Sequence, residues 1–218
     1  MSSYTIERIV EDDTEEVMKL LRRNFFLDEP INKKLQYCTS VDDDCPDLDE
    51  YCRSTLPGIS FKAIDADGKI IGVLINGISA VDYPIDYDTM IANCTNPKFK
   101  KILNILLIRE QNAQLAKRYP NENKLFEVKL AATDSNWRNK GIMNKLMEEA
   151  EKSARDLGIR LLRIDTSSEY SAKAALKFGF TCLYERAYKD IKLPGESEPI
   201  IVPDPPHVTD KVFIKELF

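Results

Sequence analysis

The sequence predicts an α/β fold in which one mixed sheet carries helices on both faces. Asp67-Gly68 lies between two apolar runs, residues 59–66 and 69–78, which is typical of a β-hairpin. The run 128–132 is followed by a polar turn, an amphipathic helix beginning at Ile142 and a further apolar run, 160–166. This second pattern indicates a right-handed crossover between parallel strands. A hairpin and a crossover together predict antiparallel and parallel pairs in one sheet.

The other elements follow from periodicity and from turn residues. Strands are predicted over residues 4–10, 180–191 and 208–217, with an extended proline-rich segment over 194–206. The predicted helices are one that ends before Pro30, one beginning near Ile31, one or two within 96–119 and one over 171–178. Two loops are predicted, an acidic, solvated one over 40–49 and another over 83–89.

Composition narrows the class of protein. The chain has 218 residues, 43% of them hydrophobic and 31% charged, and we expect a single domain over residues 1–218. A net charge of −5 without a basic stripe argues against a nucleic-acid partner. The N-terminal residues have no apolar signal core, and no apolar run is long enough for a membrane span. We therefore expect a soluble, cytoplasmic protein, and a monomer.

The five cysteines and the single histidine do not form a metal-binding pattern. The number of cysteines is odd, no Cys-x-x-Cys pair occurs, and His207 is the one imidazole in the chain. We expect no metal site. An intracellular protein also implies reduced cysteines.

The turn before the amphipathic helix has the character of an anion site. It reads RNKGIM over residues 138–143, with Gly141 where the helix should begin. The unpaired N–H groups of a first helical turn, together with the positive end of the helix dipole, attract an anion. A diphosphate suits such a turn.

Several motifs carry a resemblance to a known family. Arg138 and Gly141 in the turn, with AKAALKFGF over 172–180, resemble the GNAT N-acetyltransferase superfamily. Within it, the chain is similar to the insect arylalkylamine (dopamine-type) N-acetyltransferases. That similarity rests on FFLDEP at 25–30, NPKFKKIL at 96–103, SSEYSA at 167–172 and PPHV at 205–208.

The resemblance implies the GNAT fold and acetyl-CoA as co-substrate. Its pantetheine would bind along a strand edge like an added strand, and its diphosphate in the turn. The strand residues are Ala131, Ala132 and Thr133, and the turn residues are Arg138, Asn139, Lys140, Gly141, Ile142 and Met143. Asn139 and Met143 depart from the family pattern, which favours small residues at both positions.

The resemblance also assigns the chemistry. A glutamate before a proline at a helix end is usually a surface residue, but in this family that position carries the general base, here Glu29. Asp28 is the second candidate base and, with Tyr51, would lie next to the amine. Ser167 and Ser171 would line the thioester pocket, although a serine there is equally suited to capping a helix. His207 would border the site and assist in positioning or proton transfer.

The favoured function is transfer of the acetyl group of acetyl-CoA to an arylalkylamine such as dopamine, serotonin or tryptamine, by direct attack. Two alternatives remain open at this point. One is acetylation of aliphatic amines or polyamines, which the many aspartates would suit. The other is a coenzyme A-binding module with little or no catalysis.

Overall fold

A mixed sheet organises the part of the chain that a computed structural model describes, residues 3–54, 56–82 and 85–218. Its strand order is β1-β2-β3-β4-β5-β7-β6. The strands are β1 (Tyr4–Arg8), β2 (Phe61–Asp65), β3 (Ile70–Ala80), β4 (Lys124–Thr133), β5 (Leu161–Thr166), β6 (Thr181–Ala187) and β7 (Thr209–Glu216). The pair β4–β5 is parallel, and the other neighbouring pairs are antiparallel. The predicted hairpin and parallel crossover are both confirmed.

Helices cover both faces of this sheet, as predicted. They are α1 (Thr14–Leu21), α2 (Pro30–Leu35), α3 (Pro46–Arg53), α4 (Tyr87–Asn93), α5 (Pro97–Ala113), α6 (Leu115–Arg118), α7 (Ile142–Asp156) and α8 (Glu169–Lys177). On one face, α7 buries Leu146, Met147 and Ala150 in a core shared with α8. On the other face, α1, α3 and α5 enclose a second core. None of the helices in the described ranges is both long and apolar enough to cross a membrane.

The parallel strands β4 and β5 stay paired over only part of their length. Their register runs from Leu125 opposite Leu161 to Val128 opposite Ile164. Beyond Val128, β4 continues to pair with β3 as far as Thr133, and that register skips Lys129 as a bulge does. The two central strands therefore part in mid-sheet, and the opening between them holds the site described below.

Two predicted loops are wrong in part, because local capping favours helices there. Residues 46–53 form α3, with Pro46 in its first turn and Leu48 and Cys52 buried one helical turn apart. Its acidic residues are not simply solvated, since Asp49 accepts from Arg22 at 2.5 Å. Within 83–89, α4 begins at Tyr87 behind the Asp86 cap, while Tyr83 and Pro84 lie outside the described residues.

The expectation of reduced cysteines is contradicted at one pair. Cys38 and Cys45 are joined by a disulfide that closes the segment between α2 and α3. Both cysteines are buried in the core that α1, α3 and α5 enclose. Spacing alone could not show this, because two cysteines seven residues apart approach each other only after the segment has folded back.

A buried ion pair fastens α5 to β7. Arg109 Nε donates to the two carboxylate oxygens of Asp210 at 2.9 and 2.8 Å, and Tyr188 donates its hydroxyl to the same carboxylate at 3.3 Å. Asp210 is fully buried. Burial alone would lower the pKa of Arg109, but the Asp210 carboxylate outweighs it and holds that pKa above its ordinary value.

Replacing Asp210 by Asn should lower the free energy of unfolding by about 3–5 kcal/mol, because Arg109 would be left as a buried, unpaired charge. Urea denaturation followed by circular dichroism measures the change. Glu148→Gln, which breaks the exposed pair with Lys145, should leave the stability almost unchanged. Equal stabilities for the wild type and Asp210→Asn would contradict this account.

Candidate active site

Two hollows meet where β4 and β5 part. The outer groove has a volume of about 850 Å³ and runs along the end of β4, the start of α7 and one side of α8. The inner cavity, of about 130 Å³, lies deeper, between β4 and the helices α2, α3 and α5. Glu29 lines both of them.

The floor of the outer groove is a turn with unpaired N–H groups. Asn139 and Gly141 have positive φ angles of 63° and 81°, and Gly141 precedes α7 without any side-chain cap. Both residues line the groove, as do Ile142 and Met143. Left-handed turn residues ahead of an uncapped helix form a concave anion site. Asparagine tolerates φ > 0 better than most residues, so Asn139 fits the position where the family pattern has glycine.

The cations of this turn already have partners. Arg138 lines the groove and donates to Asp28 Oδ2 at 2.8 Å, and both side chains are about half exposed. Lys140 Nζ lies 4.4 Å from the centroid of the Trp137 ring and is not among the residues that line the groove. Asp28 therefore lies beside this turn, lines the outer groove and does not line the inner cavity.

The end of β4 presents an open strand edge to the groove. Ala131, Ala132 and Thr133 pair with β3 on one side and have no partner in β5 on the other. All three residues line the groove. An edge with unpaired N–H and C=O groups can accept an extended chain as an added strand.

A hydrogen bond to the first turn of α2 holds the Glu29 side chain. Its Oε2 accepts from the Asn32 N–H at 2.7 Å, so that Glu29 caps α2, and Pro30 takes the first helical position. Within the described part of the chain, no hydrogen bond reaches its Oε1. The cap thus fixes the side chain while one carboxylate oxygen stays available in the hollows.

The predicted serines and histidine divide between the two hollows. Ser167 lines the inner cavity, whereas Ser171 and His207 line the outer groove. Ser168 is the cap of α8, and Ser171 donates its hydroxyl to the Ser168 carbonyl at 3.0 Å. His207 Nδ1 accepts from the Glu169 N–H at 3.3 Å, which leaves Nε2 to carry the proton of the neutral ring.

Aromatic side chains enclose the inner cavity. They are Phe25, Tyr51, Tyr87 and Phe99. Tyr51, which we expected beside the amine, thus lines the inner cavity. Burial, and next the negative charge of Glu127, raise the pKa of the Tyr51 and Tyr87 phenols, so both stay neutral at physiological pH.

Charged residues also reach the inner cavity, and sequence reasoning missed them. Glu127, Lys129 and Asp165 come from the two central strands, and Arg109 comes from α5. A signal was present for two of them, because Glu127 and Lys129 alternate with the buried apolar residues Phe126, Val128 and Leu130 along β4. Charges in such positions are rare unless they are paired or functional.

The comparison with protein families is decisive for the class of protein. The model of the acetyltransferase (GNAT) family matches residues 15–180. The chain belongs to the GNAT acetyltransferase family. The mixed sheet that opens between β4 and β5 is accordingly the fold of this acetyltransferase, as the resemblance implied.

Solved structures extend this comparison over the full chain. Arylalkylamine N-acetyltransferase 2 from Aedes aegypti is 31% identical with a TM-score of 0.92, and the match covers 99% of this chain and 100% of that one. A mosquito arylalkylamine N-acetyltransferase like 5b is 26% identical with a TM-score of 0.83, over 98% and 100%. The polyamine N-acetyltransferase of Drosophila melanogaster that forms N-acetylagmatine is 22% identical with a TM-score of 0.86, over 98% and 100%. At that identity it supports the fold alone.

The positive φ angle of Asn139 predicts which substitutions at this position weaken the binding of coenzyme A. Asn139→Val should weaken coenzyme A binding by about 5- to 30-fold, because a β-branched residue disfavours φ = 63° by about 1–2 kcal/mol. Asn139→Gly should keep the affinity of the wild type. Isothermal titration calorimetry with coenzyme A measures both, and equal affinities for the valine and glycine variants would contradict the role of the turn.

Proposed function

We propose that this GNAT enzyme acetylates arylalkylamines, with acetyl-CoA in the outer groove and the amine in the inner cavity. The observation that carries the proposal is the position of Glu29, which lines both hollows where they meet. A base that removes a proton from the amine must lie next to both reactants. The similarity to the Aedes aegypti arylalkylamine enzyme at 31% identity supports the same class of substrate.

The outer groove has the features that acetyl-CoA requires. The uncapped start of α7, with Asn139 and Gly141, offers backbone N–H groups to the diphosphate, and Arg138 adds a positive charge at its edge. The open edge from Ala131 to Thr133 can hydrogen-bond the amides of pantetheine. The half-buried Met143 also lines this groove. Lys140 belongs to the same turn but is held against the Trp137 ring.

The reaction would proceed by direct attack. Glu29 removes a proton from the ammonium group, and the free amine nitrogen bonds to the thioester carbonyl carbon. A backbone N–H of the open β4 edge would stabilise the oxyanion of the tetrahedral intermediate. The C–S bond then breaks, and the second proton leaves the nitrogen and passes through the Ser171 hydroxyl to the thiolate, which leaves an amide and coenzyme A. Ser167 would orient the amine, and His207 would hold the start of α8 that carries Ser171.

The walls of the inner cavity favour an aryl group. Tyr51, Tyr87, Phe99 and Phe25 provide ring faces and edges, and these pack well against another aromatic ring. Aliphatic side chains, among them Ile102 and Leu106, fill the remaining walls. An alkyl chain between ring and nitrogen would bring the amine back to Glu29.

A second candidate function is acetylation of aliphatic diamines or polyamines. Glu127 and Asp165 line the inner cavity and could receive a second positive charge. The fold is shared with the Drosophila enzyme that forms N-acetylagmatine.

A substrate panel tests the proposed function. Release of coenzyme A thiol should be at least tenfold faster, as kcat/KM, with dopamine, serotonin or tryptamine than with agmatine or spermidine. The reverse order would assign the enzyme to aliphatic amines. Acetyl-CoA binding by calorimetry without turnover of any amine would instead indicate a coenzyme-binding module.

The role of Glu29 has a distinctive pH profile. Glu29→Gln keeps an oxygen to cap α2 but cannot take up a proton, so kcat/KM at pH 7 should fall by about 10²–10⁴-fold. The deficit should narrow by pH 10, because roughly a quarter of an alkylamine with a pKa near that of lysine is then already unprotonated, against well under 1% at pH 7. Asp28→Asn, which changes the neighbouring carboxylate, should alter mainly the KM for acetyl-CoA. A deficit for Glu29→Gln that is independent of pH would exclude Glu29 as the base.

A further inference from the structure

We propose that Glu127 accepts a hydrogen bond from a ring hydroxyl at the far end of the amine substrate, so that the enzyme prefers hydroxylated arylalkylamines to unsubstituted ones. The inference rests on the proposed function and deepens it. It makes Glu127 a specificity-determining residue, distinct from the base Glu29.

The position of Glu127 along β4 matches the far end of such a substrate. Glu127 lines the inner cavity but not the outer groove, whereas Ala131, four residues further along the strand, lines the groove. Four residues of strand with one bulge span roughly 10–13 Å. The glutamate side chain takes up part of this span. The length that remains is that of an ethylamine chain plus a benzene ring.

The Glu127 carboxylate has an acceptor to spare. Its Oε2 accepts the Ser79 hydroxyl at 2.8 Å, which orients the side chain. Its Oε1 has Arg163 Nε at 4.0 Å, too far for a hydrogen bond, and that Nε donates to Asp165 at 2.9 Å instead. An ionised carboxylate can accept several hydrogen bonds, so a ligand hydroxyl would find Oε1 available.

The charges around Glu127 favour a neutral donor over a second cation. Arg163 and Lys129 both have nitrogens within 4.0 Å of its carboxylate. Arg163 also pairs with Glu110 at 2.7 Å and with both oxygens of Asp165, so these acids are already compensated. A substrate ammonium would be repelled by these two cations as well as attracted by the carboxylates, whereas a neutral hydroxyl needs only the available acceptor.

Two phenols border the same end of the cavity. Tyr51 and Tyr87 line the same cavity as Glu127, and the pKa of both phenols is raised, first by burial and next by the negative charge of Glu127. Neither phenol makes a hydrogen bond to the described residues. A polar end with free phenols and a free carboxylate oxygen is suited to a ring that carries a hydroxyl.

The test compares tyramine with phenethylamine, which differ by that hydroxyl alone. Their kcat/KM ratio should be about 10–100 in the wild type, close to 1 in Glu127→Leu and intermediate in Glu127→Gln, which keeps an acceptor but loses the charge. Ser79→Ala, which frees the Glu127 side chain, should lower the ratio as well. Glu148→Gln, on the exposed face of α7, should keep the ratio and KM for acetyl-CoA of the wild type.

The possible outcomes separate this inference from the function on which it rests. A wild type that acetylates both amines equally, or variants that keep the wild-type ratio, would overturn the role of Glu127 alone. If Glu127→Leu does not fold, Glu127→Gln and Ser79→Ala still report the ratio. Loss of cadaverine turnover in Glu127→Gln, with the tyramine ratio unchanged, would assign Glu127 to a second cation instead. No turnover of any amine by the wild type would refute the proposed function itself.

Discussion

The parting of β4 from β5 beyond Val128 and Ile164 is the constraint on which the site depends. A sheet that stayed paired would bury every backbone group of β4 and leave no space between the strands. Here the N–H and C=O groups of β4 that no longer pair with β5 stay unpaired by that strand, along one edge of β4. The outer groove and the inner cavity lie along that edge. In the function proposed above, the opening would supply both the room for two reactants and the backbone groups to bind one of them.

Local backbone chemistry places the functional groups around this opening. Glu29 lies at the junction because it caps α2, and Pro30 fixes where that helix begins. The turn before α7 stays concave because Asn139 and Gly141 accept positive φ angles. Close packing also positions α7, since a Cβ at Gly72 of β3 would come within 2.8 Å of Ile142. The chemistry thus relies on helix ends and turns that the sheet and its helices hold rigidly.

Several of the charged residues in and around the inner cavity are buried or half-buried. Arg109 and Arg163 each neutralise carboxylates that would otherwise be unfavourable in the core. Ion pairs of this kind stabilise little compared with apolar packing, yet they hold their members in fixed places. The Glu127 carboxylate is oriented by the hydroxyl of Ser79, which donates to it. Tyr51 and Tyr87, which line the same cavity, remain neutral because their pKa values are raised.

The sequence by itself determined the hairpin, the crossover and the turn before α7, because each depends on periodicity and turn residues within a short segment. Motifs also singled out Glu29 as a candidate base, although its place between two hollows could not be derived locally. Only the tertiary structure assigned Asp28 to Arg138, joined Cys38 to Cys45 and brought Glu127 and Asp165 to the cavity. The physical reason is that these contacts join residues far apart in the chain, or close a loop, and form only when the strands and helices pack.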